Sequence, residues 1–122
     1  MLDSPPFLLL VDDDDPVIDS LAFAFELEGF RVIPCGDAES ALAAQLPEGR
    51  GCLVIDLNLP GMDGLELLAE LRTRGVVVPA VLITTHPTAK VRARALAQGA
   101  TIVEKPLITD ALLDAVRGLA GA

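Results

Sequence analysis

Short apolar runs alternate with longer stretches of helical periodicity along this chain. The first run is apolar at every position and stops at four consecutive aspartates, which is typical of a parallel strand covered on both faces of a sheet. Comparable runs recur four more times along the chain. We therefore predict five strands, at residues 7–11, 31–33, 52–56, 80–84 and 102–103.

Helix signals follow the first two predicted strands. Asp15 followed by Pro16 predicts the N-cap and the first turn of a helix that Gly29 closes. Asp37 is expected to cap a second helix that continues through Leu46.

The third helix has the spacing of a capping box at its start, because Asp63 is followed three residues later by Glu66. Its predicted core face is a leucine stripe, Leu65, Leu68 and Leu71. Two further helices are predicted from about residue 87 to 98 and from a cap at Thr109 or Asp110 to about residue 119.

Strands that alternate with helices in this way form parallel sheets with right-handed crossovers. The sequence therefore predicts an α/β fold with a five-stranded parallel sheet that is doubly wound by helices. The length of 122 residues and the 52% hydrophobic content fit one domain with its own core, so we expect a single domain over residues 1–122.

Charge and hydropathy narrow the classes of partner. The net charge of −9 repels phosphate backbones and anionic lipid, so we expect no direct binding of nucleic acid or of membrane surfaces. No apolar run approaches the roughly 20 residues that span a bilayer, and the N-terminus lacks the features of a secretory signal. The chain is expected to be cytoplasmic. Cys35 and Cys52 lack metal-ligand spacing and are expected to be small buried thiols.

Polar residues end the predicted strands, and ligands of parallel sheets bind beyond the carboxyl ends of the strands. The residues at these ends are Asp12, Asp13, Asp56, Thr84, Glu104 and Lys105. We expect three of the carboxylates, those of the aspartates, to meet the hydroxyl and the ammonium group at one edge of the sheet.

Three carboxylates in contact repel one another, because two unit charges about 4 Å apart interact by roughly 4 kcal/mol at an effective dielectric of 20. Protons, Lys105 or a metal ion must compensate. All-oxygen ligands favour Mg²⁺ or a similar hard ion such as Mn²⁺, and they argue against zinc. A carboxylate beside such an ion, a lysine and the Thr84 hydroxyl is equipped to attack phosphorus and to form an aspartyl phosphate.

Other nucleotide and phosphate chemistry fits the sequence poorly. Neither a GxGxxG nor a GxxxxGK[ST] motif occurs, which argues against dinucleotide and nucleoside triphosphate sites. The aspartates after the first strand would repel a flavin phosphate. A phosphatase that used Asp56 as its nucleophile would usually need a second aspartate two residues later as the general acid. This chain has Asn58 at that position.

The run of four aspartates leaves the register of the metal pair open. Counting back from Pro16 would make Asp13 and Asp14 the pair. We favour Asp12 and Asp13, because the apolar strand ends directly before Asp12 and because Asp15 is better placed as the helix cap.

This ordered set resembles the receiver domain of two-component response regulators, the CheY-like family, and in particular the FixJ-like receivers that control LuxR-type transcription factors. The resemblance covers essentially the whole chain and rests on Val11-Asp12-Asp13, Asp56, the stretch 59–64, Thr84 and Lys105-Pro106. It implies a (βα)5 flavodoxin/CheY-like fold with the strand order 2-1-3-4-5.

The resemblance also implies the chemistry. Asp56 would accept a phosphoryl group from a sensor histidine kinase or a phosphotransfer protein. Mg²⁺ (or Mn²⁺) would be held by Asp12, Asp13, Asp56 and the backbone carbonyl of Asn58. The domain is expected to be a switch and not a turnover enzyme, with self-phosphorylation and slow autodephosphorylation as its only reactions.

Further roles follow from the same resemblance. Thr84 and Lys105 would contact the phosphoryl oxygens, and Lys105-Pro106 would be a cis peptide. The resemblance further implies a homodimer through the face formed by helix 4, strand 5 and helix 5. No output domain is present, so the chain is expected to be a stand-alone or an excised receiver.

Four residues are expected to modulate the site: Thr85, His86, Pro106 and Ile102. The family usually carries Tyr or Phe on strand five, where this chain has Ile102 or the nearby Thr101. Thr85 is bulkier than the residue common at its position and is expected to slow phosphoryl access. His86 is expected to cap the fourth helix and at most to modulate access to Asp56.

Two alternatives remain at this point. The missing aromatic residue favours a pseudo-receiver that binds partners without phosphorylation. A small Mg²⁺-dependent phosphohydrolase that uses Asp56 is the second alternative, and Asn58 argues against it.

On the fourth helix, Lys90, Arg92 and Arg94 are expected to form a solvated face.

Overall fold

The computed structural model describes residues 5–105 and 109–120, without the side chains of residues 109 and 110. Strands and helices alternate strictly through these residues. The strands are β1 (Phe7–Val11), β2 (Arg31–Cys35), β3 (Gly51–Asp56), β4 (Ala80–Thr84) and β5 (Ala100–Glu104). The helices are α1 (Asp15–Leu27), α2 (Ala38–Ala43), α3 (Gly64–Thr73), α4 (Ala89–Ala97) and α5 (Thr109–Ala120).

All four strand pairs are parallel, and the strands lie in the order β2-β1-β3-β4-β5. Both the fold class and the predicted strand order are confirmed. The order reverses between β1 and β3, where Val11 lies opposite Ile55. The residues that follow, Asp12 and Asp56, therefore lie side by side at the point where such sheets bind their ligands.

Helices cover both faces of the sheet, which is why the central strands are apolar at every position. In β1, Leu9 and Val11 pack toward α2 and α3, whereas Leu8 and Leu10 pack toward α1 and α5. Every residue of β1, β3 and β4 is buried. The predicted leucine stripe of α3 is buried as well.

The caps of two helices differ from the prediction. The N-cap of α1 is Asp14, whose carboxylate accepts a hydrogen bond from the Val17 amide at 3.3 Å, while Asp15 lies in the first turn. The N-cap of α4 is Thr88, and the prediction that His86 caps this helix is wrong. Helix α1 therefore begins one residue earlier than predicted, whereas α4 begins about two residues later, because the backbone of Thr88 is still extended.

The predicted end of α2 is also wrong. The helix ends at Ala43, because Ala44 adopts an extended backbone with ψ near 140°. Leu46 precedes Pro47, and the proline ring disfavours a helical conformation at the residue before it. Strand β5, by contrast, extends beyond the two residues predicted for it.

Among the described residues, no helix is both long and apolar enough to cross a membrane.

Both thiols are buried and neither forms a disulfide, as predicted. Burial raises the pKa of the Cys52 thiol to about 12, and it raises the pKa of Cys35 as well.

Because the thiolate is the reactive form, we expect iodoacetamide at mildly alkaline pH to leave both residues unmodified in the folded protein and to modify both in guanidinium chloride. Mass spectrometry measures the labelling. A Ser40→Cys variant, exposed on α2, is the positive control, and rapid labelling of Cys52 in the folded protein would contradict the burial.

Candidate functional site

Asp56 ends β3 and lies at the centre of the polar edge of the sheet. Its side chain is buried, although it carries a charge. One carboxylate oxygen accepts a hydrogen bond from the backbone amide of Asn58 at 3.2 Å. The other lies 3.2 Å from the Lys105 ammonium nitrogen. A carboxylate that follows a buried strand needs such partners, because burying an unpaired charge costs several kcal/mol.

Lys105 reaches Asp56 because β5 and β4 end together. The backbone amide of Lys105 donates to the carbonyl oxygen of Thr84 at 2.8 Å, which continues the pairing of these strands beyond Glu104. The lysine side chain then extends across β4 toward β3. The structure thus brings the predicted ammonium group to the predicted phosphoacceptor.

Asp12 is the second buried carboxylate of the site, and its two oxygens differ. One accepts a hydrogen bond from the Asp14 amide at 3.0 Å. The other, Oδ2, is buried and has no hydrogen-bond partner among the described residues. Burial is the main reason that the pKa of the Asp12 carboxyl is raised, and the nearby Asp56 carboxylate raises it further.

Carboxylate oxygens of Asp12, Asp13 and Asp56 lie within 4.8 Å of one another, as three ligands of one metal ion would. Asp13 is exposed, whereas the other two are buried. The unpartnered oxygen of Asp12 and the oxygen-only donor set both fit a hard divalent cation such as Mg²⁺. Asp14 is used as a helix cap, so the geometry favours Asp12 and Asp13 over the alternative register for the metal pair.

The other predicted site residues that the structure describes lie at the end of β4, in the loop that follows it, and on β5. Thr84 ends β4 and is buried, whereas Thr85 and His86 are exposed in the loop that follows. Ile102 is half-buried against α4, and its neighbour Thr101 is exposed. Pro106 and the predicted cis peptide lie outside the described residues.

Glu104 does not join the site. Its side chain is exposed and forms an ion pair with Arg92 of α4 at 3.3 Å. Lys90 and Arg92 are exposed, as predicted for a solvated face of α4, although Arg92 also forms this ion pair. The prediction is wrong for Arg94, which is half-buried and forms an ion pair with Asp63 at 3.2 Å.

Gly64 belongs to the stretch 59–64 that carries the resemblance, but the sequence pattern assigned it no role at the site. It is buried at the start of α3, and its amide donates to the Leu57 carbonyl oxygen at 2.8 Å. A Cβ atom at this position would overlap the carbonyl oxygen of Asp56 and would lie 2.9 Å from the Leu57 Cα atom. Only glycine permits this close approach of α3 to the end of β3. The Met-Asp-Gly order in the sequence is the one signal that marks it.

Neutralising Asp12 tests the electrostatic account of the cluster. Without divalent ions, Asp12→Asn is expected to raise the free energy of unfolding by about 1–3 kcal/mol, because a buried charge without a full set of partners is removed. Mg²⁺ is expected to raise the melting temperature of the unmodified protein clearly and that of the variant much less. Thermal unfolding in EDTA and in magnesium chloride measures both effects.

Asp19→Asn is the matched control, since Asp19 is exposed on α1, and it should change neither quantity appreciably. Equal stabilisation of the Asp12→Asn variant and the unmodified protein by Mg²⁺ would contradict a role of Asp12 in metal binding.

Fold, topology and the polar edge together define a receiver-type α/β domain, and comparison with known proteins agrees. The family model of the response regulator receiver domain matches residues 8–117, so the chain belongs to this family. It is a receiver domain of two-component response regulators.

Individual relatives support the same assignment. The chain is similar to the transcriptional regulatory protein FixJ of Azorhizobium caulinodans, with 40% identity over 92% of this chain and 54% of that protein. It also resembles the C4-dicarboxylate transport transcriptional regulatory protein DctD of Pseudomonas aeruginosa, with 37% identity over 94% of this chain and 25% of that protein. The chain thus spans about half or less of the length of these two relatives.

Solved structures give the same result. The structure named FixJ-N matches with a TM-score of 0.83 and 34% identity, over 99% of this chain and 96% of that chain. The response regulator StyR matches with a TM-score of 0.86 and 36% identity, over 96% of this chain and 60% of that chain.

Proposed function

We propose that this domain accepts a phosphoryl group on Asp56 and thereby switches a partner or an output domain. The observation that carries the proposal is a buried carboxylate, Asp56, that contacts an ammonium group and adjoins two further carboxylates at the switch point of the sheet. Membership in the receiver family supports a sensor histidine kinase or a phosphotransfer protein as the donor.

The proposed step is a displacement at phosphorus. An oxygen of the ionised Asp56 carboxylate forms a bond to phosphorus, and the bond from phosphorus to the donor breaks. The electron pair leaves with the donor group, which is the imidazole of a phosphohistidine or the acetate of acetyl phosphate. Acetate leaves as the anion, whereas imidazole leaves as the neutral ring only when the other ring nitrogen of the phosphohistidine carries a proton; no oxidant or reductant is needed.

Lys105 and Thr84 would stabilise the phosphoryl group during its transfer. The Lys105 ammonium, held 3.2 Å from Asp56, is placed to neutralise negative charge on the phosphoryl oxygens. The Thr84 hydroxyl, at the end of the neighbouring strand, would donate a hydrogen bond to another of these oxygens. Charge stabilisation of this kind accounts for most catalysis of phosphoryl transfer.

The cluster formed by Asp12, Asp13 and Asp56, with the backbone carbonyl of Asn58, would hold Mg²⁺ or Mn²⁺. A bound divalent ion neutralises phosphoryl charge and orients the group for displacement. Asp12 would contribute a buried oxygen that has no other partner among the described residues, and Asp13 would contribute an oxygen from an exposed side chain.

Three residues would modulate the switch. Thr85 and His86 are exposed in the loop after β4. Thr85 would slow phosphoryl access, and His86 would at most modulate access to Asp56. Ile102 lies on β5, within the face that α4, β5 and α5 form. We propose this face as the surface of a phosphorylation-dependent homodimer.

Intact-mass spectrometry after incubation with acetyl phosphate tests the proposal. We expect a gain of one phosphoryl group in the presence of Mg²⁺ and no gain in EDTA, with a receiver of known reactivity labelled in parallel. If the folded protein gains no mass while the parallel receiver does, the phosphorylation-independent interaction module becomes the better account. Steady release of phosphate over many turnovers would instead support a phosphohydrolase.

A further inference from the structure

Helix α4 is held to the rest of the domain by few apolar contacts. Of its nine residues, all within the described part of the chain, Ala95 alone is fully buried. Ala95 packs in a small cluster with Leu65 and Leu82, to which partly buried residues such as Val91 and Ile102 add contacts. A helix with so little buried apolar surface depends more than its neighbours on polar contacts for its position.

Two ion pairs connect α4 to other described elements, and they differ in geometry. Arg92 contacts Glu104 of the adjacent strand through one nitrogen, at 3.3 Å, and both side chains are more than half exposed. Arg94 contacts Asp63 through both terminal nitrogens and both carboxylate oxygens, at 3.2–3.3 Å. Forked arginine–carboxylate pairs of this kind fix geometry better than single contacts do.

Asp63 lies at the far end of the loop that leaves the phosphoacceptor. We define residues 57–63 as the phosphoacceptor loop. At its near end the Leu57 amide donates to the Ile83 carbonyl oxygen at 2.8 Å, and the Asn58 amide contacts the Asp56 carboxylate. At its far end Asp63 caps α3, through a hydrogen bond from the Glu66 amide at 2.8 Å.

We propose that the Arg94–Asp63 ion pair couples the phosphoacceptor loop to α4, with Arg94 as a positioning residue for the loop. A change at Asp56 that shifts the loop is then transmitted to the exposed side of α4, where Leu96 and Lys90 are available to a partner. Coupling is reciprocal, so a partner bound to α4 also changes the behaviour of the loop. The physiological meaning of this coupling rests on the proposed function, whereas the coupling itself does not.

Four variants separate this coupling from general loosening of the helix. Arg94→Gln removes the guanidinium group. Asp63→Ser removes the carboxylate but retains a residue that caps α3 well. The third variant combines both changes. Arg92→Gln, the matched control, makes the same substitution on the same helix and breaks only the pair with Glu104.

The first measurement is hydrogen–deuterium exchange in the absence of a phosphodonor. Mass spectrometry follows the exchange in peptides that cover residues 57–63 and 89–97. We expect Arg94→Gln and Asp63→Ser each to raise exchange in both segments by roughly threefold, as loss of a partly exposed ion pair should. The double variant should exceed neither single variant, because both remove one interaction. Arg92→Gln should raise exchange in α4 alone. An Arg94→Gln variant whose loop exchanges at the unmodified rate would overturn the proposal.

The second measurement repeats the exchange with acetyl phosphate and Mg²⁺. We expect all variants to gain the phosphoryl group. The accompanying change in α4 should persist in Arg92→Gln and fall by at least half in Arg94→Gln and Asp63→Ser. An undiminished change in these two variants would overturn the transmission. If the unmodified protein gains no phosphoryl group, the proposed function fails, and the first measurement still decides the coupling.

Discussion

Replacing Asp56, the proposed phosphoacceptor, is expected to abolish phosphorylation completely. The Asp56→Asn variant should gain no mass with acetyl phosphate and Mg²⁺, because an amide is a far weaker nucleophile than a carboxylate and cannot form the acyl phosphate. Its amide should keep the fold, since the carbonyl oxygen can still accept the hydrogen bond from the Asn58 amide that the carboxylate accepts. Intact-mass spectrometry gives the stoichiometry, and circular dichroism verifies folding.

Asp37→Asn is the matched control for this experiment. Asp37 is exposed, follows β2 at the same edge of the sheet and caps α2, and asparagine is an equally good cap. This variant should gain the phosphoryl group as the unmodified protein does. Full phosphorylation of the Asp56→Asn variant would show that another group is the acceptor.

Gly64→Ala is expected to have the largest effect on stability. The added methyl group would overlap the backbone carbonyl of Asp56, and backbone atoms cannot move aside as a flexible side chain can. We expect a loss of about 2–4 kcal/mol in the free energy of unfolding, as for other overpacked buried positions. Because relief requires Asp56 to move, we also expect slower phosphorylation in whatever fraction stays folded. Urea unfolding and the rate of mass gain measure the two effects.

Gly118→Ala is a control that is expected to raise the free energy of unfolding instead of lowering it. Gly118 lies in α5, and a Cβ atom there would meet nothing within 4 Å. Alanine is favoured over glycine inside helices by roughly 0.5–1 kcal/mol, so this variant should be more stable than the unmodified protein. Equal stabilities of the two variants would contradict the steric account of Gly64.

The strands were predictable because burial on both faces leaves a strong hydropathy pattern, whereas the order of the strands in the sheet was predicted only from the resemblance to the receiver family. The uninterrupted apolar run of β1 and that of β3 can lie only in the centre of a covered sheet, and both are buried throughout. The end of each run then predicts its polar neighbours, which is why Asp12 and Asp56 were found as candidates. The capping box of Asp63 and Glu66 was predictable for a similar reason, since it is a local signal.

Helix caps and long-range ion pairs were harder to predict. Asp14 and Asp15 are chemically alike, and only the path of the backbone after β1 decides which of them caps α1. Arg94 meets Asp63 across 31 positions of sequence, and nothing local distinguishes it from the exposed Arg92. Gly64 is constrained by a neighbour in space, the Asp56 carbonyl, and that contact is invisible in a hydropathy pattern.

The most direct test of the phosphoacceptor assignment is to trap and map the acyl phosphate. Borohydride delivers one hydride to the acyl carbon, which releases phosphate and leaves an aldehyde, and a second hydride with a proton from water reduces the aldehyde to the alcohol. A phosphorylated aspartate thus becomes homoserine, which survives proteolysis and can be located by tandem mass spectrometry. We predict homoserine at position 56 alone, only after treatment with acetyl phosphate and Mg²⁺. Homoserine at Asp12, Asp13 or another aspartate, with position 56 unchanged, would contradict the account.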